Sequence, residues 1–230
     1  MKHHLLLIED DAPLAAMVRD FLIEQGFGVT IETDGHAAID RIGRETFDAV
    51  VLDIGLPGTD GFNVCRSVRP KYSGPIIVLT ARGEEIDEVI ALEVGADDFM
   101  SKPVRPRALL ARLRVHLRRS DTASGGSASD AVVVGDLRVD ESNRSVSIAD
   151  QNIELTTTEY DLLLYLAKRA GKVVERKSVY VDLLELPYDG IDRSIDLRVS
   201  RLRRKLGDDP NQPTRIKSVR GIGYMMAKPS

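Results

Sequence analysis

The chain has 230 residues, 43% of them hydrophobic and 30% charged, with a net charge of −4. That length suits two domains of about 100 residues, each able to bury its own core. No apolar run approaches the roughly 20 residues that span a bilayer, and no leader-like pattern precedes the first apolar run. The lone Cys65 excludes an internal disulfide or a thiolate metal site, so a reduced cytoplasmic protein without a membrane segment is expected.

In chain order, Leu5–Ile8 predicts a strand ending at the acids Glu9 and Asp10. Leu14, Met17, Val18, Phe21 and Leu22 recur at helical spacing behind Pro13, a favoured first-turn residue. Ala37, Ala38, Ile39 and Ile42 repeat that pattern. Ala49–Leu52 predicts a strand ending at Asp53, followed by a short helix around Phe62–Val68. Ile76–Leu79 ends at Thr80, and a fourth helix spans about Glu85–Leu92, stopped by Gly95. Asp98–Ser101 ends at Lys102-Pro103, and a fifth helix covers about Pro106–Arg118. Strands alternating with helices predict an α/β fold: a five-stranded, doubly wound parallel sheet in the order 2-1-3-4-5, with ligands bound beyond the strands' carboxyl ends.

The stretch from Asp121 to Asp130 is Gly/Ser-rich and has nothing to bury, which predicts a flexible linker. The expected division is a first domain at 1–119, a linker at 120–130 and a second domain at 131–230. In the second, Val132–Val134, Leu137–Val139, Val146–Ile148 and Ile153–Leu155 predict short strands. Thr156 to Glu159 has the spacing of a capping box and opens a helix. Helices near Lys177–Leu184 and Asp192–Leu206 follow. Ile216–Val219 and Tyr224–Met226, around Gly221-Ile222-Gly223, predict a hairpin. The whole is an α+β domain.

Glu9, Asp10, Asp53, Thr80 and Lys102 thus end four different strands. Singly, each is ordinary: Asp11 suits a helix cap, Asp53 a loop start, Lys102-Pro103 a solvated turn. Together they place three carboxylates, a hydroxyl and an ammonium at one sheet edge. Clustered carboxylates suit Mg²⁺, which takes oxygen ligands, and a carboxylate can accept a phosphoryl group. Asp10 and Asp53 are expected to ligate directly and Glu9 through water. Lys102 and Thr80 would serve phosphate oxygens.

The segment Asp192–Leu206 carries Arg193, Arg198, Arg201, Arg203, Arg204 and Lys205 against Asp192 and Asp196, a basic patch that the whole-chain charge conceals. At 100° per residue, Ile195, Val199, Leu202 and Leu206 form a core-facing stripe. The opposite face holds Arg193, Leu197, Ser200, Arg201 and Arg204, where Leu197 suits a thymine methyl in a major groove. Arg198 and Arg203 flank the stripe and suit phosphates. Arg220, beside two glycines, suits a narrow minor groove. A solvated amphipathic helix with Arg-Asp pairs is the competing reading.

These stretches carry a family resemblance. Leu7-Ile8-Glu9-Asp10-Asp11, Asp53 to Gly58, Leu79-Thr80-Ala81-Arg82 and Gly95 to Pro103 resemble the receiver domain of bacterial response regulators. Leu155 to Tyr160, Asp192 to Leu206 and Val219 to Tyr224 resemble the winged-helix output domain of the OmpR/PhoB class. The resemblance implies phosphorylation of Asp53 by a sensor histidine kinase, with Mg²⁺ arranged by Glu9, Asp10, Asp53 and the Gly55 carbonyl. It implies a switch made by Thr80 and Phe99, in which Phe99 lacks a phenolic hydroxyl. It implies a recognition helix in the major groove and a wing in the minor groove of double-stranded DNA, on tandem repeats. A loop at about Glu185–Ile191 would contact RNA polymerase.

Active receivers of the class dimerise through the fourth helix, fifth strand and fifth helix, using three charge pairs. Asp98 with Arg112 and Glu93 with Arg114 match two of them by position. Glu88 and Ala108 depart from the third, so a weakened dimer is expected. Two other readings stand beside a phosphorylation-switched, DNA-binding, non-enzymatic regulator. One is a phosphate-independent DNA binder with a structural receiver. The other is a receiver governing an enzymatic or protein-binding output, although no catalytic constellation follows the linker and His3, His4, His36 and His116 all precede it.

Overall fold

The computed structural model describes residues 3–80, 85–121, 131–184, 194–209 and 211–228. They form two compact units that divide between Leu117 and Arg118. Residues 122–130 of the expected linker, Ala81-Arg82, the 185–191 loop and Arg193 lie outside the described residues.

The first unit is a parallel sheet of β1 (His4–Ile8), β2 (Gly28–Glu32), β3 (Ala49–Asp53), β4 (Ile76–Thr80) and β5 (Asp98–Ser101), in the order β2-β1-β3-β4-β5. Successive side chains of a strand point to opposite faces, so one apolar run feeds two cores. Leu5, Leu7 and Val51 pack with α1 (Ala12–Glu24) and α5 (Pro106–Asp121). Leu6, Ile8, Val50 and Leu52 pack with α2 (Gly35–Ile42), α3 (Gly61–Val68) and α4 (Glu85–Val94). Asp11 caps α1, accepting from Leu14 N at 3.0 Å, and Asp34 caps α2 from Ala37 N at 2.9 Å. A short 3-10 turn, Arg69–Lys71, follows α3. The fifth helix extends to Asp121, three residues beyond its expected end.

The second unit opens with an antiparallel sheet of β6 (Ala131–Val134), β7 (Leu137–Asp140), β8 (Ser145–Ile148) and β9 (Gln151–Asn152). The strand expected at Ile153–Leu155 is instead Gln151–Asn152. Ala149 and Asp150 take positive φ (46° and 65°), a tight two-residue turn that fixes pairing immediately after it. Ile153 extends the pairing by one bond, its N donating to the Val146 carbonyl at 2.8 Å, and Ile153 and Leu155 pack on the core. Three helices follow, α6 (Thr157–Ala167), α7 (Arg176–Leu184) and α8 (Ser194–Lys205). A two-residue strand, β10 (Val174–Glu175), pairs with the closing hairpin of β11 (Ile216–Val219) and β12 (Gly223–Met226). At two residues, β10 is too short to leave a sequence pattern.

Candidate functional site

The parallel sheet does what its sequence promises at the carboxyl edge. Glu9 is fully buried just past β1, Asp53 is 4% exposed at the end of β3, and Thr80 is 2% exposed at the end of β4. Asp10 is exposed beside them. Oxygens of Glu9, Asp10 and Asp53 lie within 4.8 Å of one another. Lys102 crosses from β5: its Nζ donates to Asp53 Oδ2 at 2.9 Å and to Glu9 Oε1 at 3.0 Å. It also lies 2.9 Å from Glu9 Oε2, a Coulombic contact without hydrogen-bond geometry, so that buried oxygen accepts no hydrogen bond.

Burial pushes the Glu9 carboxyl above its ordinary value; the Lys102 hydrogen bond opposes this and the Asp53 charge reinforces it. Burial alone would lower the Lys102 ammonium, but its bonds to Asp53 and Glu9 outweigh that and hold it above its ordinary value. One ammonium thus serves a cluster with more acid than base. A cation with oxygen ligands fits here: the donors are all carboxylate oxygens, and one of them is buried and unsatisfied.

One glycine makes room. A Cβ at Gly61 would lie 2.4 Å from the Asp53 carbonyl oxygen, so only glycine lets α3 start against β3. A Cβ at Gly55 would sit in ordinary contact with the Asp53 carboxylate, at 3.4 Å. Gly55 N donates to Asp53 Oδ1 at 3.0 Å, which leaves each oxygen of Asp53 with its own donor.

Residues 5–114 match the response regulator receiver domain, and residues 150–226 match the C-terminal domain of transcriptional regulatory proteins. The transcriptional regulatory protein RstA of Escherichia coli strain K12 is 40% identical over 231 residues, covering 97% of each chain. The chain belongs to the OmpR/PhoB family of response regulators. Among solved structures, the Thermotoga maritima OmpR/PhoB homologue DrrB is 31% identical, with 99% of this chain and 100% of that one covered and a TM-score of 0.53. A mutant of RitR is 26% identical over 99% and 100% of the two chains, with a TM-score of 0.73. The protein is therefore a two-component response regulator with a receiver and a DNA-binding domain. Regulators of this family work with a histidine kinase and with DNA, and the reading in which the receiver is only structural is not favoured. No helix among the described residues is long and apolar enough to cross a membrane.

Elsewhere on the receiver, Phe99 is half-buried on β5 and lines an open cavity of about 320 Å³ with Met100, Ala108 and Arg112. Asp98 and Arg112, expected as partners across a dimer, are joined within one chain at 2.7 Å. Glu93 and Arg114 are both exposed, and Arg114 reaches Gln25 Oε1 at 3.4 Å. The side chain of Glu88 lies outside the described residues. His116, 1% exposed, stands with its Nε2 3.4 Å from Asp98 Oδ2, a placement without a signal in the sequence.

In the regulator's second unit, Ile195, Val199, Leu202 and Leu206 of the α8 segment are buried, as the periodicity predicts. The cations divide differently from expectation. Arg203 is not on a phosphate-facing flank. It is 8% exposed, and its Nε and Nη2 donate to the Ile216 carbonyl at 2.9 and 2.6 Å, with Nη2 also reaching Ser218 Oγ at 3.0 Å. A guanidinium one position from the core stripe can reach sideways to a strand carbonyl, which a helical wheel does not register. Arg198 is likewise buried, at 7% exposure, rather than flanking at the surface. Arg201 is held by Glu159 at 3.4 Å. Leu197 and Ser200 are half-buried, while Arg204 and Arg220 are exposed. Arg220 precedes Gly221, whose φ of +72° turns the hairpin.

Proposed function

We propose that Asp53 is the phosphoacceptor and that its phosphorylation governs DNA binding. The observation that carries this reading is Lys102 bridging Asp53 and Glu9 inside a metal-competent acid cluster. In the transfer, an Asp53 carboxylate oxygen attacks the phosphorus of a kinase phosphohistidine. The P–N bond breaks, its electron pair stays on the imidazole nitrogen, which takes up a proton, and an acyl phosphate remains on Asp53. Glu9, Asp10, Asp53 and the Gly55 carbonyl would hold Mg²⁺, which supplies neutralising charge for the phosphoryl oxygens. Lys102 then exchanges a carboxylate partner for a phosphoryl oxygen. Thr80, at the end of the adjacent strand, donates to another, and Phe99 responds along β5.

The phosphorylated regulator pairs through α4, β5 and α5, with Glu93 and Arg114 as exposed partners. It binds DNA as a dimer through Leu197, Ser200 and Arg204 of α8 and Arg220 of the hairpin turn, and Arg201 joins them only on leaving Glu159, which holds it in the free protein. Tandem half-sites about one helical turn apart suit that dimer. Selection from genomic DNA fragments, with Mg²⁺ and a small-molecule phosphodonor, tests this. Wild type should enrich a tandem motif and Asp53→Asn should enrich it at least tenfold less. Equal enrichment would remove Asp53 from the switch.

A further inference from the structure

Glu159 sits at the third position of α6 and is 2% exposed. As half of a capping box, its Oε2 accepts from Thr156 N at 2.9 Å. That carboxylate also collects two cations from α8. Lys205 Nζ donates to Oε2 at 2.7 Å, and Arg201 Nη2 lies 3.4 Å from Oε1. Arg201 and Lys205 are one helical turn apart, so both reach one buried acid. Capping needs only an acceptor at this position, and glutamine serves as well as glutamate. The negative charge is therefore surplus to the cap.

We infer that Glu159 is an internal counter-ion for the DNA-binding helix, standing where a phosphate would otherwise stand and holding down affinity for arbitrary sequence. Non-specific affinity comes from cations that release counter-ions from DNA phosphates. A cation already neutralised within the protein releases none. Of the α8 cations, Arg203 donates to the Ile216 carbonyl and Arg201 and Lys205 share Glu159; Arg204 and Lys205 are both exposed, but of these two only Lys205 has a carboxylate partner among the described residues. Removing the Glu159 charge while keeping the cap returns Lys205, whose other acceptor is the neutral Glu154 carbonyl at 3.1 Å, to the DNA. At about 0.1 M salt, that returned cation should tighten random-duplex binding roughly eightfold and steepen the salt slope by about 0.9. The inference rests on α8 facing DNA.

The test is a salt series on the full chain with the selected motif and with random duplex, comparing wild type, Glu159→Gln, Lys205→Gln, Arg204→Ala and the Glu159→Gln/Lys205→Gln double variant. Glu159→Gln should bind random duplex at least fivefold tighter, with a steeper slope and a smaller preference for the motif. The double variant should fall back toward wild type. Lys205→Gln alone should lose less than threefold while Arg204→Ala loses about eightfold, although both cations lie in the last turn of α8; this comparison stands even if Glu159→Gln folds poorly. Unchanged or weaker binding by folded Glu159→Gln, or equal losses for Lys205→Gln and Arg204→Ala, overturns the counter-ion role and leaves the interface standing. If Arg204→Ala loses nothing, α8 does not face DNA and both readings fall.

Discussion

The receiver edge and the α8 helix both gather charge, and they gather it in opposite ways. At the receiver edge, Glu9, Asp10 and Asp53 outnumber Lys102, their single cation among the described residues, so the site is left seeking positive charge. In α8, several cations already have acceptors inside the protein: Arg203 on Ile216, Arg201 and Lys205 on Glu159. One site is built to be completed from outside. The other is largely satisfied within and presents only a few free charges. A count of charged residues in the sequence treats the two alike; the hydrogen-bond partners separate them.

Replacing Arg203 should show the contrast most sharply. Arg203→Ala would strip the Ile216 carbonyl of both its guanidinium donors, which should cost the second unit about 3 kcal/mol. Urea unfolding followed by tyrosine fluorescence reads this directly, because Tyr72 is the receiver's one tyrosine among the six. A variant that folds like wild type and merely binds all DNA more weakly would return Arg203 to the phosphate role.

The receiver offers the reverse experiment. Lys102→Met removes the cation that bridges Asp53 and Glu9 and should destabilise the receiver by about 2 kcal/mol without divalent cations. Millimolar Mg²⁺ should recover much of that loss in the same urea titration. No difference between the titrations with and without Mg²⁺ would mean that the acids do not collect a cation.

Asp208 sharpens the point about internal satisfaction. Burial raises its pKa, but donors from Ile216, Arg215 and Thr214 outweigh burial and hold it below the ordinary value. A carboxyl whose folded pKa is depressed stabilises the fold above its unfolded pKa, about pH 4, and loses that contribution as pH falls through the folded value. Asp208→Asn should therefore cost about 1.5 kcal/mol at neutral pH and progressively less below pH 4. Thermal melts at pH 7 and pH 3 check the convergence. A gap that stays constant with pH would rule out the ionised form as the source.

The smallest effect belongs to exposed charge. Arg114→Glu should weaken the proposed phosphorylated dimer by about threefold, since surface pairs contribute at most about 1 kcal/mol, and adding Glu93→Arg should restore it. Sedimentation velocity decides; failure of the second change to rescue the first would dissociate the two residues.

How much of this the sequence discloses depends on how local the cause is. The strand-end acids are legible because each ends an apolar run, and a parallel sheet brings all such ends to one edge. Both faces of β1 are legible for the same reason, since Leu5 and Leu7 must part from Leu6 and Ile8. Asp11 and Thr156 announce their helices through contacts three residues away. What stays hidden is long-range and side-on. Arg203 meets a strand 13 residues later, Glu159 meets Lys205 across 46 residues, and His116 finds Asp98 through the packing of α5 on β5. The placement of β9 was hidden too, because a two-residue turn at Ala149-Asp150 overrides the apolar signal of Ile153 and Leu155.

One linkage in the second unit bears on how DNA is read. Asp196, in the first turn of α8, accepts from Arg176 Nε at 2.9 Å and from the Tyr224 hydroxyl, and Arg176 also covers the Tyr224 ring. The start of α7, the start of α8 and strand β12 are thereby pinned at one point. In the proposed binding mode, the helix and the hairpin turn behave like the jaws of a caliper locked at a set opening. A duplex enters comfortably only where its grooves match that opening, and groove width varies with base sequence. Part of this regulator's selectivity should thus come from base pairs that neither jaw touches, and Tyr224→Phe, by loosening the lock, should blur preference at those positions first.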